Sequence, residues 1–254
     1  MAVFGIAMVR DEADIIGTTA AHMLTQVDHV IVADNGSTDG TRDILAELDV
    51  EIIDDPEVGY YQSRKMTMLA RRAWAAGADW VVPFDADEWW YCPHTETIAE
   101  FLGQFGTQWL TVSAELYDHV ATGHDPAVAD PVERMRWRRV SPAPLPKVAC
   151  RPREDLSIHQ GNHGASYDSG ATVQSGLIVR HFPYRSAEQF VRKARNGAEA
   201  YQATDLPETT GQHWRQYGAL LEAHGPEVLA DVFRQWFWIA DPTVDESVLF
   251  DPIR

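Results

Sequence analysis

Three carboxylates crowd one short stretch, Phe84-Asp-Ala-Asp-Glu88, and two tryptophans, Trp89 and Trp90, follow them. Asp85 and Asp87 have the period of two at which an extended backbone points side chains to one side. Like charges held close are costly, and a hard divalent cation with oxygen ligands removes that cost. Taken alone, an Asp-x-Asp is more often a solvated corner, so its setting decides. It ends the apolar run 80–84, which suits a short buried strand better than a helix. In open α/β sheets the carboxyl ends of the strands are where ligands bind.

The elements that would carry such a corner can be traced from the N-terminus. Apolar residues 3–9 form a first strand that ends in Arg10-Asp-Glu12, and 13–24 has helical spacing in Ile15, Ile16, Ala20 and Met23. A second strand, 28–33, runs into Asp34-Asn-Gly-Ser-Thr-Asp-Gly-Thr41, a loop dense in turn formers. Asp39 or Thr41 would cap a helix over 42–48. Residues 50–53 form a third strand ending at Asp54 and Asp55, and a helix over 63–76 stops at Gly77. Alternation of this length implies a parallel, doubly wound sheet. On such a sheet the four polar clusters share one edge, which raises the Asp85 corner above a chance triplet.

Composition bounds the rest. The chain has 254 residues, 45% hydrophobic and 23% charged, as in ordinary globular proteins. A formal net charge of -17 argues against a nucleic-acid partner. It also means that an anionic substrate needs local cations or a metal. The two cysteines, Cys92 and Cys150, have no metal-like spacing, so a reducing, cytoplasmic setting is expected. No apolar run is long enough for a membrane span.

Met8-Val-Arg-Asp-Glu12, Val30-Ile-Val-Ala-Asp-Asn-Gly-Ser-Thr-Asp-Gly-Thr41 and Phe84-Asp-Ala-Asp-Glu88 together resemble the nucleotide-sugar domain of family 2 glycosyltransferases. The resemblance is good over residues 1–105 and weaker at His181-Phe-Pro-Tyr-Arg185, as in small soluble members. The Gln-x-x-Arg-Trp pattern of processive synthases is absent from the sequence. The resemblance implies a GT-A fold: a Rossmann-like, doubly wound mixed sheet with helices on both faces, here followed by C-terminal helices. It also implies transfer of a sugar from a nucleoside-diphosphate sugar, a UDP-sugar by family habit, to a hydroxyl acceptor, with inversion favoured over a retaining course that stays open. By the same resemblance Met8, Val9, Arg10 and Glu12 would contact the nucleoside and Asp34 the ribose or base. Asp54 would flank the base, with Asp55 competing for that place, and Arg64 or Lys65 would reach base or diphosphate. Asp85 and Ala86 would face the ribose and metal side. Asp87 would bind Mn²⁺ or Mg²⁺, with His181 returning to the cation and Asp85 sharing it; Glu88 would stand behind them.

Three parts are expected: 1–105 as the nucleotide-sugar half of one domain, 106–205 as the acceptor side with the strand that returns to the metal, and 206–254 as a helical extension. A helix over 96–105 and a strand over 108–116 are followed by a mobile loop over 117–131. Arg134, Arg136, Arg138 and Arg139 alternate with other residues, as in an edge strand guarded by charge or a site for an acidic acceptor. Short strands at 147–151, 156–159 and 175–182 precede a helix over 186–201 capped by Ser186, and one of Arg185, Arg192, Lys193 and Arg195 would hold the diphosphate. An inverting enzyme needs a general base. Glu115, Asp118, Asp155 and His163 are candidates, led by His163 in its glycine-flanked loop and Asp118. Helices over 212–224 and 226–240 carry the aromatic segment 232–239, which would pack on the sheet or form a homo-oligomer contact. The tail beyond 240 either wraps over the domain or is disordered. The same features admit a nucleotidyltransferase or a catalytically inactive nucleotide-binding module, and do not name the sugar, base or acceptor.

Overall fold

A computed structural model describes residues 1–170 and 172–253. The chain runs through β1 (Val3–Val9), α1 (Ile16–Gln26), β2 (His29–Asp34), α2 (Thr41–Ala46), β3 (Glu51–Asp54), α3 (Gln62–Ala75), β4 (Trp80–Pro83), β5 (Glu88–Tyr91) and α4 (Ile98–Leu102). It continues with β6 (Thr111–Thr122), α5 (Pro131–Arg134), β7 (Trp137–Arg139), β8 (Lys147–Cys150), β9 (Ser157–Ile158), a 3-10 turn Gln160–Asn162, β10 (Ala165–Ser166) and β11 (Val173–His181). Helices α6 (Ala187–Gln202), α7 (Gln212–His224) and α8 (Pro226–Trp236), then β12 (Trp238–Ile239) and β13 (Val248–Phe250), complete it. Two compact units result. One comprises Met1–Asp55, Gln62–Tyr117 and Pro142–His181; the other comprises Pro56–Tyr61, Asp118–Ser141 and the chain from Phe182 onward.

In the first unit β3, β2, β1 and β4 lie side by side and parallel, and β8 then joins β4 antiparallel. The register sets Val9 beside Asp34 and Asp34 beside Asp54. Strand ends that are far apart in sequence therefore share one edge. Alternate residues of β1 feed two cores. Val3, Ala7 and Val9 pack with Ile16, Ala20 and Met23 of α1 and Leu45 of α2. Phe4 and Ile6 pack with Met66, Leu69, Ala70 and Ala73 of α3. Helices thus cover both faces, and the mixed, doubly wound α/β sheet expected from the sequence is what forms. On α3 the buried set Gln62, Lys65, Met66, Leu69, Ala70 and Ala73 has helical spacing. Gly77 at φ 96 ends it in the left-handed region that favours glycine.

Several boundaries differ from the sequence reading for local reasons. Helix α1 starts at Ile16 because the Glu12 and Ala13 amides are already bound to Thr41 Oγ1 and Asp39 Oδ2. A Thr97–Glu100 capping box and Gly103 confine α4 to five residues. The expected loop from 117 is instead the second half of β6, whose pairings in the second unit are His119 with Arg138, Val120 with Trp137 and Ala121 with Trp238. That last pairing also ends α8 at Trp236 instead of 240.

In the second unit β13 pairs with β7, Arg138 bonds Asp251 at 2.7 Å and Arg139 bonds Ser247 at 2.8 Å. The arginine strand is thus covered by the tail itself, which is ordered there. Ser186 caps α6 as expected, accepting from the Gln189 amide. The aromatic rings of α6 and α8 meet within this unit, Phe190 lying against Phe233 and Phe237. Among the described residues no helix is long and apolar enough to cross a membrane.

Candidate active site

The shared edge holds two polar corners. In the first, Asp34 is buried and accepts from the Ser37 amide at 3.1 Å and from Arg42 at 3.2 Å. Arg42 also reaches Asp54 at 2.7 Å, whose side chain is otherwise open to solvent. Asp34 and Asp54 together hold the Arg42 guanidinium protonated more firmly than usual. Asp11, at φ 54, accepts from the Thr38 amide at 2.7 Å, tying the end of β1 to the loop after β2. The Val9 carbonyl accepts from the Asn35 amide at 2.8 Å. Lys65 pairs with Asp55 at 2.7 Å beneath the surface, and Asn35 donates to the same carboxylate. Arg64, one residue earlier on α3, faces solvent. All the expected nucleoside residues of the first two strands therefore lie on one edge, Met8 and Val9 through their backbone positions in β1.

The second corner is the turn after β4. Its backbone closes with the Glu88 amide donating to the Asp85 carbonyl at 3.1 Å. Glu88 is fully buried. One of its oxygens accepts from the Asp85 amide at 3.1 Å and from the Trp90 indole at 2.9 Å. Thr19 donates to the Ala86 carbonyl at 2.6 Å from behind. Trp89 stacks on His22, ring centroids 3.5 Å apart. The two tryptophans therefore brace the turn.

Strand β5 pairs antiparallel with β11 and sets His181 opposite Glu88. His181 Nε2 comes to 3.6 Å from Asp87 Oδ1, and the Asp87 side chain is only 3% exposed. The late-chain histidine and the second carboxylate of the turn are thus brought together as the sequence reading expected. Asp85 is differently engaged. Its carboxylate accepts from Gln62 and Asn162, both at 3.1 Å, and from Lys147 at 2.5 Å. Lys147 also lies 2.7 Å from the other Glu88 oxygen. Burial would strip the Lys147 proton, but Asp85 and Glu88 outweigh it and hold the ammonium charged. Burial pushes the Glu88 carboxyl up, and Lys147 opposes that.

His163 lies in the loop after Asn162. Its Nδ1 is 2.9 Å from the Pro146 carbonyl. A carbonyl only accepts, so the proton sits on Nδ1 and the Nε2 lone pair is left available. Burial, then the Lys147 charge, lowers its pKa below the usual 6.5. Asp118, the other leading base candidate, falls in the second unit on β6, and Arg185 there donates to the Phe182 carbonyl at 3.0 Å. Lys147, Gln62 and Asn162 escaped the sequence reading. Their one sequence signal was a lysine heading the short apolar run 148–150, which the structure shows as a strand with all four residues buried.

Parallel strands ending in carboxylates at a common edge, with helices on both faces, define a doubly wound α/β fold, the architecture in which ligands bind beyond the carboxyl ends of the strands. Residues 6–122 match the sequence family Glycosyl transferase family 2, a stretch that runs from β1 to the last residue of β6. A TPR repeat-containing protein of Synechococcus elongatus is 34% identical over 81 residues. Those residues are 32% of this chain and span only 19% of that relative. Solved structures with a partial likeness include TarS of S. aureus, 13% identical with a TM-score of 0.41, over 88% of this chain and 73% of that one. Mannosyl-3-phosphoglycerate synthase of Rubrobacter xylanophilus is 14% identical with a TM-score of 0.42, over 88% and 77%. Glucosyl-3-phosphoglycerate synthase of Mycobacterium tuberculosis, solved with Mn²⁺, UDP and phosphoglyceric acid, is 16% identical with a TM-score of 0.43, over 81% and 79%.

Proposed function

We propose that the chain transfers a sugar from a nucleoside-diphosphate sugar to an acceptor hydroxyl, with a divalent cation held by Asp87 and His181. The observation that carries this reading is their meeting at 3.6 Å on the strand-end edge of a sheet whose first strands match Glycosyl transferase family 2. The donor set suits Mn²⁺ or Mg²⁺: one carboxylate and one imidazole. Among the described residues no three His, Cys, Asp or Glu side chains converge as a ready metal cluster. Two protein ligands suit a cation that completes its shell with substrate phosphates and water. When bound, the cation neutralises the leaving diphosphate as a Lewis acid.

The remaining work falls to the chain. The β1 end, Asp34 and Asp54 bind the nucleoside. The Glu88 and Trp90 contacts hold the turn in register, so that Asp87 is fixed before substrate arrives. His163, with its proton held on Nδ1, takes the acceptor hydroxyl proton at Nε2 while that oxygen bonds the anomeric carbon and the bond to the nucleoside diphosphate breaks; one in-line displacement of this kind inverts the sugar carbon. Uridine is the base to test first. Hydrolysis of a panel of nucleotide sugars without acceptor, assayed with Mn²⁺ and with chelator, tests the reading. Metal-dependent release of one nucleoside diphosphate is expected. Transfer of the nucleotidyl group with release of pyrophosphate would place the chain in a different enzyme class.

A further inference from the structure

Asp85 and Asp87 sit two residues apart in the same turn, yet they face different company. Among the described residues, all three donors to the Asp85 carboxylate come from outside the turn. Two of them also hold the backbone of Gly161. Gln62 accepts from the Gly161 amide at 2.7 Å, and Lys147 donates to the Gly161 carbonyl at 2.9 Å. The third donor is Asn162, held at φ 58 and completely buried. Asparagine tolerates that left-handed conformation better than most residues. Gly161 is at φ 75, and a Cβ there would stand 2.4 Å from the His163 ring. The loop that presents His163 is therefore gathered, atom by atom, onto the Asp85 carboxylate.

We propose that Asp85 is a positioning residue: through Lys147, Gln62 and Asn162 it fixes the 161–163 loop, and the cation is left to Asp87 and His181. Charge supports this division. Lys147 is a buried ammonium whose two carboxylate contacts are Asp85 and Glu88. A cation drawing on Asp85 as well would have to share its carboxylate with that ammonium, and like charges at such a distance repel strongly in a low-dielectric setting. The cation half of this inference rests on the function proposed above; the loop half does not.

The test uses the full chain as wild type, Asp85→Asn, Asp87→Asn, Lys147→Met and Lys147→Arg. Hydrogen exchange over residues 160–163 is read without ligands. Mn²⁺ affinity is read by EPR with a nucleoside diphosphate present. Asp85→Asn should speed loop exchange by about tenfold or more while holding Mn²⁺ affinity within about tenfold of wild type. Asp87→Asn should do the reverse, losing Mn²⁺ by about a hundredfold or more with the loop unchanged. In turnover, Asp85→Asn should lower kcat and leave the donor KM within about threefold, the pattern of a displaced base. Lys147→Arg should restore more loop protection than Lys147→Met. If the Lys147 variants do not fold, the near-isosteric Asp85→Asn carries the test. Loss of Mn²⁺ in Asp85→Asn as complete as in Asp87→Asn, or unchanged loop exchange, overturns the proposal. Absence of Mn²⁺ binding by the wild type would remove the cation reading, and loop exchange would still decide the latch.

Discussion

The Asp34 corner and the Asp85 corner are built from the same residue types on the same sheet edge, but their charges are met in different ways. Around Asp34 the partners are close in sequence: the Ser37 amide and Arg42. Arg42 itself is about half exposed to solvent. Around Asp85 the side-chain donors are Gln62, Lys147 and Asn162, the last 77 residues away. A corner served by a half-exposed arginine can release its partner to a ligand at little cost. A corner served by a buried lysine cannot, because separating buried charges leaves each uncompensated. The difference suggests that the first corner is free to bind, and that half of the second is committed to holding the structure together.

The sharpest way to break this contrast is at the member of the second corner not committed to the lysine. Asp87→Asn should lower kcat/KM by about a thousandfold, the several kcal/mol expected of lost charge neutralisation at the leaving group. An equal loss from substituting Asp54 instead would shift the weight of the site to the first corner. Next in size is His163→Gln, expected to lower kcat by about a hundredfold or more. Because burial and Lys147 lower the His163 pKa below 6.5, the imidazole is neutral at pH 7. The acid limb of the kcat/KM profile should therefore lie below pH 6.5 and vanish in His163→Gln.

Lys147→Met removes the shared partner of Asp85 and Glu88 and should cost about 3–5 kcal/mol of stability, read by urea denaturation. Sign follows from the direction of its shift. Lys147 is raised above its ordinary value, so its contribution is complete at neutral pH and is lost only as pH rises through the elevated pKa. Arg42→Ala should be the mildest change, shifting Tm by no more than about 2 °C, because the arginine is half exposed, Asp54 is open to solvent, and buried Asp34 keeps its bond from the Ser37 amide. A large fall in Tm there would erase the contrast between the corners.

What the sequence disclosed follows the same division. The strand–helix alternation and the carboxylates at strand ends are visible because apolar runs and the residues that end them lie side by side in the chain, whereas the pairing of Asp87 with His181 was implied by the family resemblance alone. Ser186 and Gly77 act where their residue types say they should, as a helix cap and a helix stop. The Lys147 cluster was not visible. It depends on β8 joining β4 antiparallel and on the turn at Gln160–Asn162 reaching α3, and neither contact leaves a local pattern. The loop expected from 117 was misread for a related reason. Tyr117-Asp-His is polar enough for a loop, and only the partners Arg138, Trp137 and Trp238 make that stretch a strand.

The central claim, that Asp87 and His181 form a cation-dependent site for a nucleoside diphosphate, is tested most directly by thermal denaturation with UDP and its relatives, each with and without Mn²⁺. At a nucleotide concentration about a hundred times Kd, binding adds about 2.7 kcal/mol to the stability of the folded state. One nucleoside diphosphate should raise Tm with Mn²⁺ present, should do so weakly or not at all without it, and should lose the effect in Asp87→Asn. No stabilisation by any nucleoside diphosphate, or equal stabilisation of wild type and Asp87→Asn, would contradict the account.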